Sequence, residues 1–399
     1  MIDDFDLASL PAGFYADPYP TYHALREADP VRRMPDGSLF LSRYDDVAAV
    51  YRDAGRFSSD KRIEFRPKYG PDSRLYEHHT TSLVFNDPPL HTRVRRLMMG
   101  ALTVRAIAAM EPSLIRLVDR LLDAAAEREE FDLIADFASA IPVEVIGNLL
   151  DVPHADRTPL RGWSLAILGA LEPRPSKAQL DAGELAVAEF VDYLRKLVAD
   201  RRQRPGDPGQ DVLTRLIQGE GGERLNETEL LQNCIFILNA GHETTTNLIG
   251  NGLHALLKWP EQRTRLLEDP QLIRTAVEEF LRFDSSNQLG NRISTAPTEI
   301  AGVSVAPGTP VTLCIGAANR DPAQFADPDR LDLGREPNRH LAFGLGVHQC
   351  AGMTLARLEG RIAIGRFIQR FPEFRLNGTP IRGGRVRFRG FLSLPVRTA

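Results

Sequence analysis

Apolar residues recur at helical spacing over residues 18–29, 112–129, 136–150, 178–203, 226–258 and 353–371. Two stretches alternate instead with the period of a strand, Ser38-Leu39-Phe40-Leu41-Ser42 and residues 310–316. The pattern predicts a mainly α fold with minor β, the strands lying near the N-terminus and around 292–314. The first helix starts near Asp17-Pro18, and Pro and Gly clusters at 173–175 and 205–209 break the later ones. There is no internal repeat, low-complexity tract or interdomain linker. Segment 59–87 follows neither period. Lys61, Arg62, Arg66, Pro67, Lys68, Gly70 and Pro71 make it polar, and it reads as a long irregular loop, a type that is usually functional or mobile.

The 226–258 pattern carries its own boundaries. Asn226 as N-cap and Glu229 three residues on form a capping box, and Pro260 stops the helix. At 1.5 Å per residue it spans ~50 Å, enough to cross a whole domain. Its middle holds Phe236, Asn239, Ala240, Gly241, His242, Glu243 and Thr244-Thr245-Thr246. A glycine, an acid and three threonines in the apolar heart of a helix are locally unfavourable, and such conflicts mark functional positions.

Bulk properties narrow the function. The chain has 399 residues and a net charge of -4, with no block of like charge, so nothing calls for nucleic acid. Its three cysteines, Cys234, Cys314 and Cys350, have no paired spacing, which fits a reducing compartment. The opening Met1-Ile2-Asp3-Asp4-Phe5-Asp6 is acidic and lacks the basic and apolar regions of a signal peptide. No stretch reaches the ~18 apolar residues of a membrane span. A cytoplasmic protein without membrane association is expected.

The most specific chemistry lies in Phe343-Gly344-Leu345-Gly346-Val347-His348-Gln349-Cys350-Ala351-Gly352, immediately before the 353–371 helix. A lone thiolate does not build a closed tetrahedral zinc site, but it can be the single axial ligand of a haem iron. The glycines let the backbone pass close to a flat macrocycle. The helix start favours the thiolate, and Phe343 can cover the sulfur. The spacing F-x-x-G-x-H-x-C-x-G resembles the haem-binding signature of the cytochrome P450 family without a mismatch. Ala240-Gly241-His242-Glu243-Thr244-Thr245 is similar to that family's A-G-x-[D/E]-T-T motif.

The resemblance extends over essentially the whole chain. It implies one triangular, haem-sandwiching helical domain over residues 1–399 with small sheets and no fused reductase. It implies haem b with Cys350 as axial ligand, and Phe343, Gly344, Gly352, Ala240 and Gly241 against the macrocycle. His91, Arg95, Arg292 and His348 match propionate-binding positions, and Glu243 and Thr244 match the acid and alcohol of a proton relay. Glu279-x-x-Arg282 matches a buried ion pair whose third member is expected to be Arg330. The 59–87 loop would cover the substrate pocket. Candidate pocket walls are Phe236, Asn239, Ser286, Asn287, Gln288, Leu289 and Phe391, and the polar ones suggest a polar or anionic substrate. The implied reaction is insertion of one oxygen atom of O2 into a small organic molecule, by hydroxylation or oxidative dealkylation, in a monomer. Electrons would come from a ferredoxin or flavodoxin with its NAD(P)H-dependent reductase, docking on Arg330, Arg335, Arg339, Arg357, Arg361 and Arg366. A haem–thiolate peroxygenase, a C–C coupling enzyme and a non-catalytic haem sensor are the alternatives. The Glu243-Thr244 pair argues against the peroxygenase and the sensor.

Overall fold

The computed structural model describes residues 4–100, 102–208, 211–219 and 221–398. Residues 1–3 and position 209 of the 205–209 breaker lie outside them. The chain divides into two compact units, Met1–Ser58 with Ser113–Ile141 and Thr244–Ala399, and Ser59–Pro112 with Pro142–Glu243.

The first unit contains a five-stranded sheet in the order Val31–Arg33, Leu39–Leu41, Pro310–Cys314, Leu289–Ser294, Phe57–Ser58. Only the pairing of Leu39–Leu41 with Pro310–Cys314 is parallel. The two-residue period decides which side each residue packs on. Leu39, Leu41, Val311 and Leu313 join one apolar cluster with Val47 and Phe325. Phe40, Leu289 and Cys314 face the other, with Phe5, Phe14 and Tyr22. Both faces are therefore covered, which is why Leu39-Phe40-Leu41 is apolar without a break. Helices Ile273–Phe283 and Met353–Arg370 pack together in the same unit.

Several predicted helices appear with small shifts, as Tyr19–Ala28, Lys177–Gln203 and Glu227–Lys258. The pattern read over 112–129 is the C-terminal part of Val104–Ala126, which continues through Pro112. The pattern over 136–150 splits into a π-turn, Leu133–Ala138, opened by the Asp132 side chain, and a helix Ala140–Leu149.

The expectation for 59–87 is overturned. The second unit forms helices Arg62–Tyr69 and Arg74–Thr81 there, followed by a 3-10 turn Leu83–Phe85. Ser73 caps the second helix through the Tyr76 N–H. Phe65, Tyr69, His79 and Phe85 pack ring against ring, with Phe65 centroids 5.1–5.5 Å from the other three. His78 Nδ1 meets Gln232 Oε1 at 2.9 Å, and the Leu83 N–H donates to Asn233 Oδ1 at 2.9 Å. Tertiary packing of scattered aromatics, not local propensity, makes this segment helical. No helix among the described residues is long and apolar enough to cross a membrane.

Candidate functional site

The cysteine loop is shaped by two glycines in left-handed backbone, Gly344 (φ +62) and Gly346 (φ +71). A Cβ on Gly346 would stand 2.5 Å from the Tyr51 carbonyl oxygen, so only glycine lets the loop approach there. The Cys350 N–H donates to the Phe343 carbonyl at 2.9 Å and closes the loop. Helix Met353–Arg370 then begins after Gly352. Cys350 is half-buried, whereas Cys234 and Cys314 are buried. Burial pushes both of their thiols up to about 12, which keeps them protonated. Among the described residues no group of three His, Cys, Asp or Glu side chains is placed to hold a metal ion. Cys350 thus offers a lone soft ligand, not part of a metal cage.

Two cationic candidates share the unit of Cys350. Arg292 is buried, with its guanidinium 5.0 Å from the Tyr51 ring centroid and Nη1 donating to the Asn291 carbonyl at 2.7 Å. His348 is half-buried in the 3-10 turn Gly346–His348. In the second unit His91 is buried and Arg95 half-buried, one turn apart on helix Leu90–Met99. Beside Gly352 nothing lies within 4 Å of where a Cβ would stand. A lone accessible sulfur, open space next to its loop and cationic donors in the same unit are the donor set that a carboxylated iron macrocycle requires, so the residues fit haem.

The Glu227–Lys258 helix opens with the capping box read from the sequence. Glu229 N–H donates to Asn226 Oδ1 at 2.8 Å, and Asn226 N–H to Glu229 Oε2 at 3.0 Å. From Leu230 to Leu256 every residue is buried except Phe236, Ala240, Gly241 and Thr244. Phe236, Ala240 and Thr244 stand at four-residue spacing, so they form one accessible stripe. Glu243 and Asn239 are buried on its flank, and both amide atoms of Asn239 lack a partner.

Behind Thr244, Thr245 meets a carboxyl missed by the motif reading. Glu359 on helix Met353–Arg370 is 2% exposed. Burial pushes its carboxyl up to about 8, and a hydrogen bond with the Thr245 side chain only partly offsets this. The unfolded chain would ionise this group near ~4.3. Between that value and about 8 the native state binds the extra proton, so stability falls as pH rises. Glu359→Gln should therefore gain on the wild type in unfolding midpoint from pH 5 to pH 8. Parallel profiles for the two proteins would show that the carboxyl is not held protonated.

The ion pair around Glu279 is built differently from expectation. Glu279 and Arg282 are both fully buried and meet through two hydrogen bonds of 2.8 Å. The second guanidinium is Arg335, whose Nε lies 3.2 and 3.1 Å from the two carboxylate oxygens. Arg330 is exposed and contributes only its carbonyl, which accepts from Arg282 and Arg335. The cause is the burial of Leu331 and Leu333, which turns the Arg330 side chain outward. The Asp332 N–H then bonds Glu279 Oε1 at 3.0 Å, and the turn brings Arg335 back.

The polar segment 284–291 is engaged mostly within the fold. Ser285 bonds the Leu281 carbonyl and Asn319, and Gln288 Nε2 donates to the Ser285 carbonyl at 2.7 Å. The Asn287 side chain lies against the Leu289 and Arg387 carbonyls, to which its amide nitrogen donates once the amide is turned over. Ser286 is buried, and its hydroxyl lacks a partner. Leu289, 1% exposed, belongs to the core cluster with Tyr22 and Phe40 and is no accessible wall. Phe391 likewise packs on His254 and Arg382. Phe388, three residues earlier, is half-buried and its backbone bridges to Asn287. Asp284, first in the segment, is a half-buried structural anion. Burial opposes its ionisation, but Arg389, Arg382 and Arg320 outweigh it and hold the carboxyl far below the usual range.

The expected basic docking cluster is also thinner than its sequence suggests. Arg335 is committed to Glu279, Arg357 to Glu278 and Arg366 to Asp119. Arg361 is half-buried and its Nε donates to the Arg357 carbonyl at 3.3 Å, whereas Arg330 and Arg339 are exposed.

Comparison with known proteins agrees with this geometry. The family model described as Cytochrome P450 matches residues 175–380. The chain is 36% identical over 392 residues to the biotin biosynthesis cytochrome P450 of Bacillus subtilis, covering 96% of each. It is 40% identical over 367 residues to the vitamin D(3) 25-hydroxylase of Pseudonocardia autotrophica, covering 91% of this chain and 88% of the hydroxylase. A solved P450 in complex with an acyl carrier protein ligated to hexadec-9Z-enoic acid superposes with a TM-score of 0.92 at 35% identity, covering 97% of this chain and all of that one. With a lone accessible cysteine after a glycine-shaped loop and near full-length similarity to these proteins, the chain belongs to the cytochrome P450 family.

Proposed function

We propose that the chain inserts one oxygen atom of O2 into a largely apolar organic substrate, by hydroxylation or oxidative dealkylation, in the cytoplasm, with electrons from a separate ferredoxin or flavodoxin and its NAD(P)H-dependent reductase. As a member of its family it is a haem–thiolate oxidoreductase carrying haem b. Cys350 would ligate the iron, Phe343 would cover the sulfur, and His91, Arg95, Arg292 and His348 would hold the propionates. The observation that carries the catalytic part is the stripe Phe236, Ala240 and Thr244, the accessible side of a helix that apart from Gly241 is otherwise buried from Leu230 to Leu256.

Bound haem supplies the activation of O2. Thr244 Oγ1, on the accessible stripe, would hold a proton-carrying water. Glu243, one residue earlier and buried, passes protons to that water from bulk. Asn239 has an unpartnered amide on the flank of the stripe and offers a hydrogen bond to one polar group of the substrate. The internal bonding of Ser285 Oγ and Gln288 Nε2 supports an apolar substrate over an anionic one. Exposed Arg330 and Arg339 offer positive charge to an acidic electron carrier.

The relatives point to large apolar molecules, a fatty acyl chain on a carrier protein in one and vitamin D(3) in another. Both classes are therefore the first to screen for displacement of iron-bound water. With a compound so found, Thr244→Ala should still consume reducing equivalents but release more hydrogen peroxide and less oxygenated product. Glu243→Gln should lower overall turnover even where coupling holds. Unchanged coupling in Thr244→Ala would remove its hydroxyl from the reaction.

A further inference from the structure

Arg357 stands one turn into helix Met353–Arg370, seven residues after Cys350, and its charge is fixed from several sides. Its Nε donates to Glu278 Oε1 at 2.7 Å and its Nη2 to Glu278 Oε2 at 2.8 Å, a two-pronged pairing with set geometry. Glu278 also meets His340 Nε2 at 3.1 Å. His340 Nδ1 accepts the Ala342 N–H at 3.2 Å, which leaves Nε2 as the donor to Glu278. Both partners of Glu278 then touch one ring. The Arg357 guanidinium carbon lies 4.7 Å from the Phe343 centroid, and the His340 ring lies 5.7 Å from it. Burial opposes ionisation of Glu278, but its bonds to Arg357 and His340 hold the carboxyl down at about 2. The hydrogen bonds with Glu278 lead in raising Arg357, and the Cys350 sulfur adds a Coulombic attraction.

A partly exposed ion pair contributes little stability by itself. This one instead immobilises a guanidinium against Phe343, the aromatic residue that starts the cysteine loop and whose carbonyl accepts the Cys350 N–H. Charge placed close to a metal's ligand is one of the means by which a protein tunes the metal. We propose that Arg357, locked by Glu278 and His340 over Phe343, is a positioning residue that fixes a positive charge beside Cys350 and thereby raises the reduction potential of the haem held there. The proposal rests on Cys350 being the axial ligand. A fixed cation favours the state that carries the additional electron, and a carboxylate behind it tempers the effect.

The test is the midpoint potential of haem-loaded wild type, Arg357→Gln, Arg357→Lys and Glu278→Gln, by spectroelectrochemical titration. Arg357→Gln should shift to a more negative potential, and Arg357→Lys should stay near the wild type because the charge remains. Glu278→Gln should shift to a more positive one, since its amide oxygen still accepts from Arg357. A wild-type potential in Arg357→Gln overturns the proposal. If that variant does not retain haem, an unshifted potential in Glu278→Gln overturns it. The spectrum of the reduced wild type with carbon monoxide separates the two levels of the argument. Absence of the strongly red-shifted Soret band would remove Cys350 as ligand, whereas its presence with flat potentials removes only the role of Arg357.

Discussion

Cys350→His is expected to keep haem but to lose the strongly red-shifted Soret band of the reduced carbon monoxide complex, and with it substrate oxygenation. The loop geometry does not depend on the thiol. It is set by Gly344 and Gly346 in left-handed backbone and by the Cys350 N–H bond to the Phe343 carbonyl, which any residue at this position can make. An imidazole can therefore reach the iron. It is a neutral ligand, however, and lacks the electron donation by which a thiolate favours cleavage of the O–O bond. Cys234→Ala and Cys314→Ala should leave the band in place. Both thiols are buried, and burial pushes each up to about 12, so neither supplies a thiolate near neutrality. A band that survives Cys350→His would show that another residue ligates the iron.

How far the sequence could be read follows from where each signal is stored. The Asn226–Glu229 capping box lies in four consecutive residues, and the structure contains both of its hydrogen bonds. The 3.6-residue period of helix Glu227–Lys258 is equally local, and so were its approximate bounds. Segment 59–87 fails for the opposite reason. Its composition is polar and Pro67 interrupts it, yet Phe65, Tyr69, His79 and Phe85, up to 20 residues apart in sequence, form one aromatic cluster. That contact exists only after the chain has folded.

The same distinction runs through the site. Glu279 and Arg282 stand at a spacing that puts both on one helical face, so their pairing is legible. The second arginine comes from a loop, where spacing carries no direction, and the burial of Leu331 and Leu333 chooses Arg335 over Arg330. The basic cluster after residue 330 looks free in sequence because its acidic partners, Glu278 and Asp119, lie far away along the chain. Charge counted along a sequence overstates charge available on a surface. The stripe of Phe236, Ala240 and Thr244 combines the two cases. The motif marks Ala240 and Thr244, but only the burial of most of the helix shows that they share an accessible side with Phe236.

Glu279→Ala is expected to yield little folded, haem-loaded protein. The substitution removes the acceptor for Arg282 Nε and Nη2, Arg335 Nε, the Asn338 amide and the Asp332 N–H. Arg282 keeps only carbonyl partners, those of Asn319, Pro328 and Arg330, and it is fully buried. Taking away one partner of a buried ion pair costs ~3–5 kcal/mol, because the remaining charge cannot return to water. A typical domain has only ~5–15 kcal/mol of stability in total. The loss also falls on the segment that leads into the cysteine loop, since the Leu341 N–H bonds Asn319 and the Asn319 carbonyl bonds Arg282. Arg330→Ala provides the contrast. Its side chain is exposed and its carbonyl survives the substitution, so haem loading should stay near wild type and stability change by less than ~0.5 kcal/mol. The measurements are the ratio of Soret to protein absorbance after purification and the unfolding midpoint in urea. A wild-type midpoint in Glu279→Ala would mean that Arg282 and Arg335 find other anions. A large loss in Arg330→Ala would return that side chain to the network in place of Arg335.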